Sequence, residues 1–586
     1  MNLNDSLLLA FDSDDTKKIV NLFDKEKNRE ILAFTPNSYE ILSSNGFNNI
    51  ITPYQVNPNL HQEVAKDNIL IRSNLDNICK NKIHYSSFDE NFKNIFIQCL
   101  STINFFSKIL KNENSYICLL DKDTNKKNYH EVLNLILDFI ITKKYGVFKL
   151  SFFFKSKELF SLKKIINNIL FSYIQNKNII FNFLGNKKKM SKNHNDIEIA
   201  IGTFSDSRLY NLYLILKNFF KFFNRNNIKI IYTDITYDKN ILVEKQIKNL
   251  LKLFNNHSSI FENKNLVFFL SEVLLYNVAL TNFLEKRFDK LKIKFLISDY
   301  LTWMNPNIVA KFLYNKSLNV FLCSHGNMDT SNDIYSNAEL LSLGKGLCYS
   351  EYATNIIAQS PTAYKISKML NNSKKINIIK SHPLAYNGQR QSKYISNKNI
   401  NILFAGTYKV FLSRPYIYQG SYQFIDTIKK LSSIFKKNSN INLTLNIRTN
   451  DEIDNEVYKN LLKDLPNSRL LFNSNIENLM QNSNLLITNF STLIDEFSYL
   501  NKPVVILNDF LKHECYKHFY PKSEIDGLKS IYYFNIKEFE SELPDIIKKI
   551  KKNSEILKPK HIWSQNEVLD NHSLINKIMG RICEIN

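Results

Sequence analysis

At 586 residues the chain is too long for one hydrophobic core, so two or more domains are expected. Its 44% hydrophobic content fits a folded protein, and no apolar run reaches the roughly 18 uncharged residues of a membrane-spanning helix. Lys+Arg 77 against Asp+Glu 55 gives a formal charge of +22, which reads either as a face for anionic partners or as part of a general richness in Lys, Asn and Ile; neither an RNA-recognition signature nor zinc-finger spacing is present, so nucleic acid is not expected.

The N-terminus, MNLNDSLLLAFDSDD, has no basic region before its short apolar run. It is a poor signal peptide, and a cytoplasmic location is expected. Residues 1–55 alternate: SLLLAF as a strand, 12–24 as a helix, EILAFT as a strand, NSYEILSSNG as a helix and NNIIT as a strand. That rhythm predicts a parallel sheet with helices on its faces. Asn37 or Ser38 is expected to cap the second helix, and Gly46 to end it. Residues 56–195 predict mainly helix, read as an insertion, with GVFKLSFFFKSKELF rich in Phe and Lys and LGNKKKMSKNHND as a polar linker.

The rhythm returns at DIEIAIGTF and continues through NIKIIYTDIT, NLVFFLSEV, KIKFLISDY and NVFLCSHG, each an apolar run with a polar tip. The tips carry Thr203, Asp234, Glu272, Asp299 and His325. Ligands of doubly wound sheets bind at such carboxyl ends. A second series follows: INIIKSHP, INILFAGTYK, NLTLNIRTN, RLLFNS, NLLITNFS and PVVILND. The expected architecture is α/β with two Rossmann-like domains and a cleft between them. The first comprises 1–55 plus 196–360, interrupted by the helical insertion at 56–195, and the second comprises 361–586.

The seven cysteines are odd in number and dispersed without a CxxC, which reads as reduced thiols. His513, Cys515 and His518 lack a second ligand pair, so no metal site is expected there.

One stretch, NLLITNFSTLIDEFSYLNKPVVIL (484–507), places a polar tip between a strand and a helix. Unpaired N–H groups at the helix start favour an anion, with the Ser491 and Thr492 hydroxyls as added donors. Ser491 is equally an ordinary N-cap. Glu496, a turn further on, is placed either to meet a ribose hydroxyl or to balance the helix dipole. No Walker loop or GxGxxG occurs.

This stretch resembles the segment LLITDYSSVIFDFALLNKPVIFY of the CDP-glycerol glycerophosphotransferase family of wall teichoic-acid synthesis, a family of GT-B architecture. CSHGNMD, YSEYATNII and ILFAGTYK resemble other segments of that family in the same order, and the likeness spans roughly 315–510. Asn489 stands where the family has Asp, Gly406 where it has Pro and Lys409 where it has Arg, and LNIRTND lacks the family's Arg-x-His-Pro.

The resemblance implies a transferase that moves a sugar or glycerol phosphate from a nucleotide-activated donor (CDP-, CMP- or UDP-linked) to a surface glycan, either free or lipid-linked. His325 would be the general base, with Asp299 its competitor or orienting partner and Gly326 allowing close approach of backbone to ligand. Donor binding would fall to Ser491, Thr492, Asn489, Glu496, His382, Thr407 and Lys409, with Lys380, Arg414 and Arg448 as further cations near a diphosphate. No metal or other cofactor is expected, and the basic balance fits peripheral contact with the inner face of an anionic membrane. Two rivals are an epimerase of the UDP-N-acetylglucosamine 2-epimerase type and a non-catalytic scaffold of a polysaccharide complex.

Overall fold

The computed structural model describes residues 7–11, 13–81, 90–110, 116–118, 197–202, 226–229, 241–254, 293–301, 304–324, 337, 344–371, 376–383, 400–406, 421–438, 441–447, 453–463, 465, 467–472, 476–489, 491–507, 524–525, 528–552 and 563, with scattered positions in 267–285 and 568–580. Short runs rich in Leu, Ile and Val form strands buried on both faces, the pattern expected of parallel sheets covered by helices. Three such sheets are present among the described residues.

The first sheet contains β1 (Leu7–Ala10), β2 (Ile31–Ala33), β3 (Ile50–Ile51) and β4 (Tyr116–Cys118), in the order β3-β2-β1-β4 and parallel throughout. Its helices are α1 (Ser13–Leu22), α2 (Pro36–Ser44), α3 (Pro53–Val56), α4 (Leu60–Asn81) and α5 (Glu90–Ile109). Alternate residues of β1 face opposite layers. Leu8 and Ala10 pack with Ile19 and Leu42 of α1 and α2. Leu7, Leu9 and Phe11 pack with α4, α5 and α6 (Ile241–Lys252). Thr35, not Asn37 or Ser38, caps α2: Pro36 fills the first turn, and the Thr35 hydroxyl accepts from Ser38 N at 3.3 Å. Gly46 takes φ +81° and ends the helix as expected.

The second sheet has the order β10-β9-β8-β7-β5-β6. Its strands are β5 (Ile197–Gly202), β6 (Asn226–Lys229), β7 (Ile293–Ser298), β8 (Asn319–Cys323), β9 (Asn355–Ala358) and β10 (Asn377–Lys380). Helices α7 (Met304–Asn315) and α8 (Pro361–Leu370) accompany it.

The third sheet has the order β13-β12-β11-β14-β15-β18, with β11 (Ile400–Gly406), β12 (Ile441–Ile447), β13 (Ser468–Phe472), β14 (Leu485–Thr488), β15 (Val504–Leu507) and β18 (Ile531–Phe534). A small antiparallel hairpin, β16 (Glu524–Ile525) and β17 (Leu528–Lys529), precedes β18. Helices α9 (Ser421–Lys436), α10 (Asn455–Leu462) and α13 (Ile536–Lys552) cover the face that carries Ile402 and Phe404. Helices α11 (Ile476–Gln481) and α12 (Leu493–Tyr499) cover the face that carries Leu403 and Ala405.

This arrangement departs from the expected domain division in three ways. The strands of 1–55 pair with one another and with β4, which occupies the second edge of β1, and among the described residues none pairs with the second sheet. Helices α4 and α5 cover the first sheet and share its core, so 60–109 is part of that lobe; residues 119–196 lie outside the described set. The boundary at 361 falls too early, because β10 pairs with β9 in register from Asn377↔Asn355 to Lys380↔Ala358.

Candidate functional site

In the third sheet the chain runs outward from β11 through β12 to β13, then returns to the other side of β11 and runs through β14 and β15 to β18. The strand order therefore reverses between β11 and β14, and the carboxyl ends at such a reversal are where open α/β sheets bind ligands. These two strands carry ILFAG and LLIT, the cores of two motifs singled out in the sequence.

Gly406 ends β11. A Cβ there would lie 2.9 Å from the ring of Phe424 and 3.3 Å from that of Phe404, so the first turn of α9 leaves room only for glycine. Thr488 ends β14, Asn489 follows it, and both are buried. The Asn489 amide donates to Leu507 O at 3.3 Å, which ties the tips of β14 and β15 together. The Thr488 hydroxyl and the Asn489 carboxamide oxygen have no hydrogen-bond partner among the described residues.

Ser491 and Thr492 follow at half-buried positions. The Ser491 hydroxyl accepts from Leu493 N at 3.2 Å, although Ser491 stands one residue before the N-cap position and not on it as expected. Thr492 is the residue before α12 and makes no capping bond of its own. Asp495 and Glu496 lie in the first turn of α12, and both are buried.

The NKP segment that follows α12 has a structural task. Asn501 takes φ +58° just past α12. Lys502 is buried, and its ammonium donates to Met480 O at 3.0 Å, Gln481 O at 2.6 Å and Ser483 O at 2.7 Å. It closes the C-terminus of α11, where unpaired carbonyls and the helix dipole favour a cation. Burial pulls its pKa down to about 8.

The remaining expected residues divide by lobe. Asp299 follows β7 in the second lobe and is buried. Its charge is felt at Cys323, the last residue of β8, whose thiol is pushed up by burial and by Asp299. His325 and Gly326, two and three residues beyond Cys323, lie outside the described residues, as do Thr407, Lys409, Arg414, Arg448, Thr203, Asp234, Glu272 and the His513, Cys515, His518 group. His382 follows β10, and its ring meets Tyr499 of α12 edge-on at 5.7 Å, so it stands where the second lobe touches the third. The Lys380 ammonium lies over the rings of Tyr364 and Trp563 at 5.2 and 5.7 Å, a cation–π position that assigns it to packing. Among the described residues, no group of three His, Cys, Asp or Glu gathers as a metal site would require.

Sequence reasoning missed the contact between the first lobe and the third sheet. The Tyr422 hydroxyl, in the first turn of α9, meets Ala33 O at 3.0 Å and Thr35 O at 2.8 Å. Ser13 Oγ donates to Asp454 Oδ2 at 3.0 Å, and Asp454 N donates to Asn37 Oδ1 at 2.7 Å. Asp454 is the N-cap residue of α10, so helix starts from both lobes meet at this junction.

The segment that carries β11 to β15 is where a likeness to a known family is found. Residues 368–566 match the family described as CDP-Glycerol:Poly(glycerophosphate) glycerophosphotransferase. The expected resemblance is thus found over the whole third sheet and the strand that precedes it, while two of the segments expected to carry it, CSHGNMD and YSEYATNII, lie before the matched residues. No curated protein sequence matches the chain. Among solved structures, the wall teichoic acid polymerase TagF (as a variant) is 11% identical, with a TM-score of 0.35, over 73% of this chain and 99% of that one. A putative UDP-N-acetylglucosamine 2-epimerase from Listeria monocytogenes is 11% identical, with a TM-score of 0.41, over 66% and 95%. The lipopolysaccharide outer core galactosyltransferase WaaB is 14% identical, with a TM-score of 0.34, over 66% and 99%. At these scores the α/β assignment rests on the sheets themselves.

Proposed function

We propose that the protein is a transferase that moves a sugar or glycerol phosphate unit from a nucleotide-activated donor to a hydroxyl of a cell-surface glycan. One observation carries this reading: the family match spans the third lobe, and the order reversal of that lobe falls between the two strands bearing its motifs. The donor nucleotide would lie at the carboxyl ends of β11 and β14, near Ser491, Thr492 and Glu496, with Thr407 and Lys409 following β11 in the chain. His325, just past β8, would take the proton of the acceptor hydroxyl as its oxygen attacks the donor. The bond to the nucleotide breaks, and the leaving phosphate carries away the negative charge. The surplus of basic residues would favour anionic substrates and the inner face of an anionic membrane. No helix among the described residues is long and apolar enough to cross a membrane.

The first test is a thermal-shift panel of CDP-, CMP-, UDP-, GDP- and dTDP-compounds. One nucleotide is expected to raise the unfolding temperature, and Ser491→Ala/Thr492→Ala to abolish the rise. Turnover of a sugar nucleotide without any acceptor would favour epimerisation and overturn the transferase reading. His325→Ala is expected to lower turnover at least 100-fold while nucleotide binding persists. Unchanged turnover in that variant would remove His325 from the mechanism.

A further inference from the structure

The first turn of α9 combines three features. It begins a helix of sixteen residues at the carboxyl end of β11, where the strand order reverses, and its Phe424 ring covers Gly406. Its first residue, Ser421, is 1% exposed, and the hydroxyl has no hydrogen-bond partner among the described residues. Side chains at a helix start lean toward the N-terminus, so this hydroxyl lies beside the first backbone N–H groups, which have no intrahelical acceptor. Gln423, two residues on, also buries a carboxamide atom with no partner among the described residues. The chain places Gly420 directly before Ser421.

A buried hydroxyl without a partner is costly, and proteins rarely keep one where alanine would serve. Two opposing explanations are a packing role and a ligand. Packing alone would be served by Ala at the same volume less one oxygen. A ligand explains the oxygen, and the helix start fixes its sign as an anion.

We propose that the first turn of α9 is a phosphate-binding subsite, with the Ser421 hydroxyl and the N–H groups of that turn as donors. It takes one phosphate of a phosphorylated substrate, and as a donor or acceptor subsite it rests on the transferase reading above. Tyr422 holds this turn in place from the outside, through its hydroxyl contacts with Ala33 O and Thr35 O of the first lobe. The first lobe thereby sets where the phosphate sits without touching it. Tyr422 is a positioning residue in this scheme.

Calorimetric titration with inorganic pyrophosphate tests the subsite independently of any nucleotide. Wild type is expected to bind, Ser421→Ala to bind roughly tenfold more weakly and Ser421→Asp not to bind. Without ligand, Ser421→Ala is expected to unfold at or above the wild-type temperature, because it removes an unpartnered buried oxygen; a packing role predicts a lower one. Equal pyrophosphate affinity in wild type and Ser421→Ala overturns the proposal. So does absence of pyrophosphate binding in wild type that still binds a nucleotide, and in that case the donor reading survives. Comparing CDP with CMP assigns the source. A loss confined to CDP in Ser421→Ala places the donor's outer phosphate here. A loss for pyrophosphate with both nucleotides unaffected places an acceptor phosphate here. Tyr422→Phe is expected to raise the KM for the phosphorylated substrate several-fold with kcat little changed, whereas a purely structural role would leave both constants unchanged per folded molecule.

Discussion

Replacing Lys502 with methionine keeps the length of the side chain and removes only the ammonium. Two opposing terms then change together. The carbonyls of Met480, Gln481 and Ser483 lose a donor, at about 1–2 kcal/mol for each that stays buried. In return, a charge no longer has to be held away from water. That second term can be isolated through pH. A lysine at about 8 in the folded protein against an ordinary 10.5 binds fewer protons folded than unfolded between those values. Stability from this group therefore rises as pH climbs from 8 toward 10.5, by about 3 kcal/mol at 1.36 kcal/mol per pH unit. Urea unfolding of wild type and Lys502→Met at a series of pH values from 7 to 10.5 gives the difference directly, since all other groups titrate alike in both. Wild type is expected to gain on the variant by about 3 kcal/mol across that range. A difference independent of pH would refute the reasoning. It would show that the three carbonyls and the end of α11 hold the ammonium charged as firmly as water does.

Gly406→Ala is expected to destabilise by about 1–3 kcal/mol, because the new Cβ meets the Phe424 ring at 2.9 Å, and Phe424→Leu should recover part of the loss in thermal melts. Ser13→Ala and Asp454→Ala, combined in a double-mutant cycle, should show about 1 kcal/mol of coupling across the junction of the first and third lobes; simple additivity would deny that the lobes are joined there. Cys79, Cys99, Cys323 and Cys348 are buried, and burial pushes Cys99 up to about 12, so these four thiols should resist modification at pH 8 until the protein unfolds, as peptide mapping would reveal.

The strand–helix rhythm was legible because each strand is a short run of Leu, Ile and Val closed by a polar tip, and that pattern depends only on local chain. Pairing is not local. Nothing in SLLLAF tells whether its second edge meets a strand near residue 117 or one near 197, so the first sheet could not be separated from the second by periodicity. In the same way INIIK reads as a strand without revealing that it completes the sheet before it and not the one after. The two strands that flank the order reversal, β11 and β14, were legible through their motifs, but their pairing was not. Ser421 was not, since a serine at a helix start ordinarily reads as a cap. Lys502 was hidden among the many lysines of the chain, and only its three carbonyl partners set it apart.

The second and third lobes are joined by the chain at two places. One is the stretch from Pro383 to β11, and the other is the stretch from α13 to Trp563, whose ring stands edge-on to Tyr364 at 6.1 Å. Beyond it, Leu569 N donates to Lys380 O at 3.4 Å, which seats the returning chain beside β10. The third segment of the chain is thus stitched back onto the edge strand of the lobe that precedes it, and removing everything after residue 560 is expected to unseat β10 and lower the unfolding temperature, whereas an unchanged melt would show that Trp563 and Leu569 hold nothing.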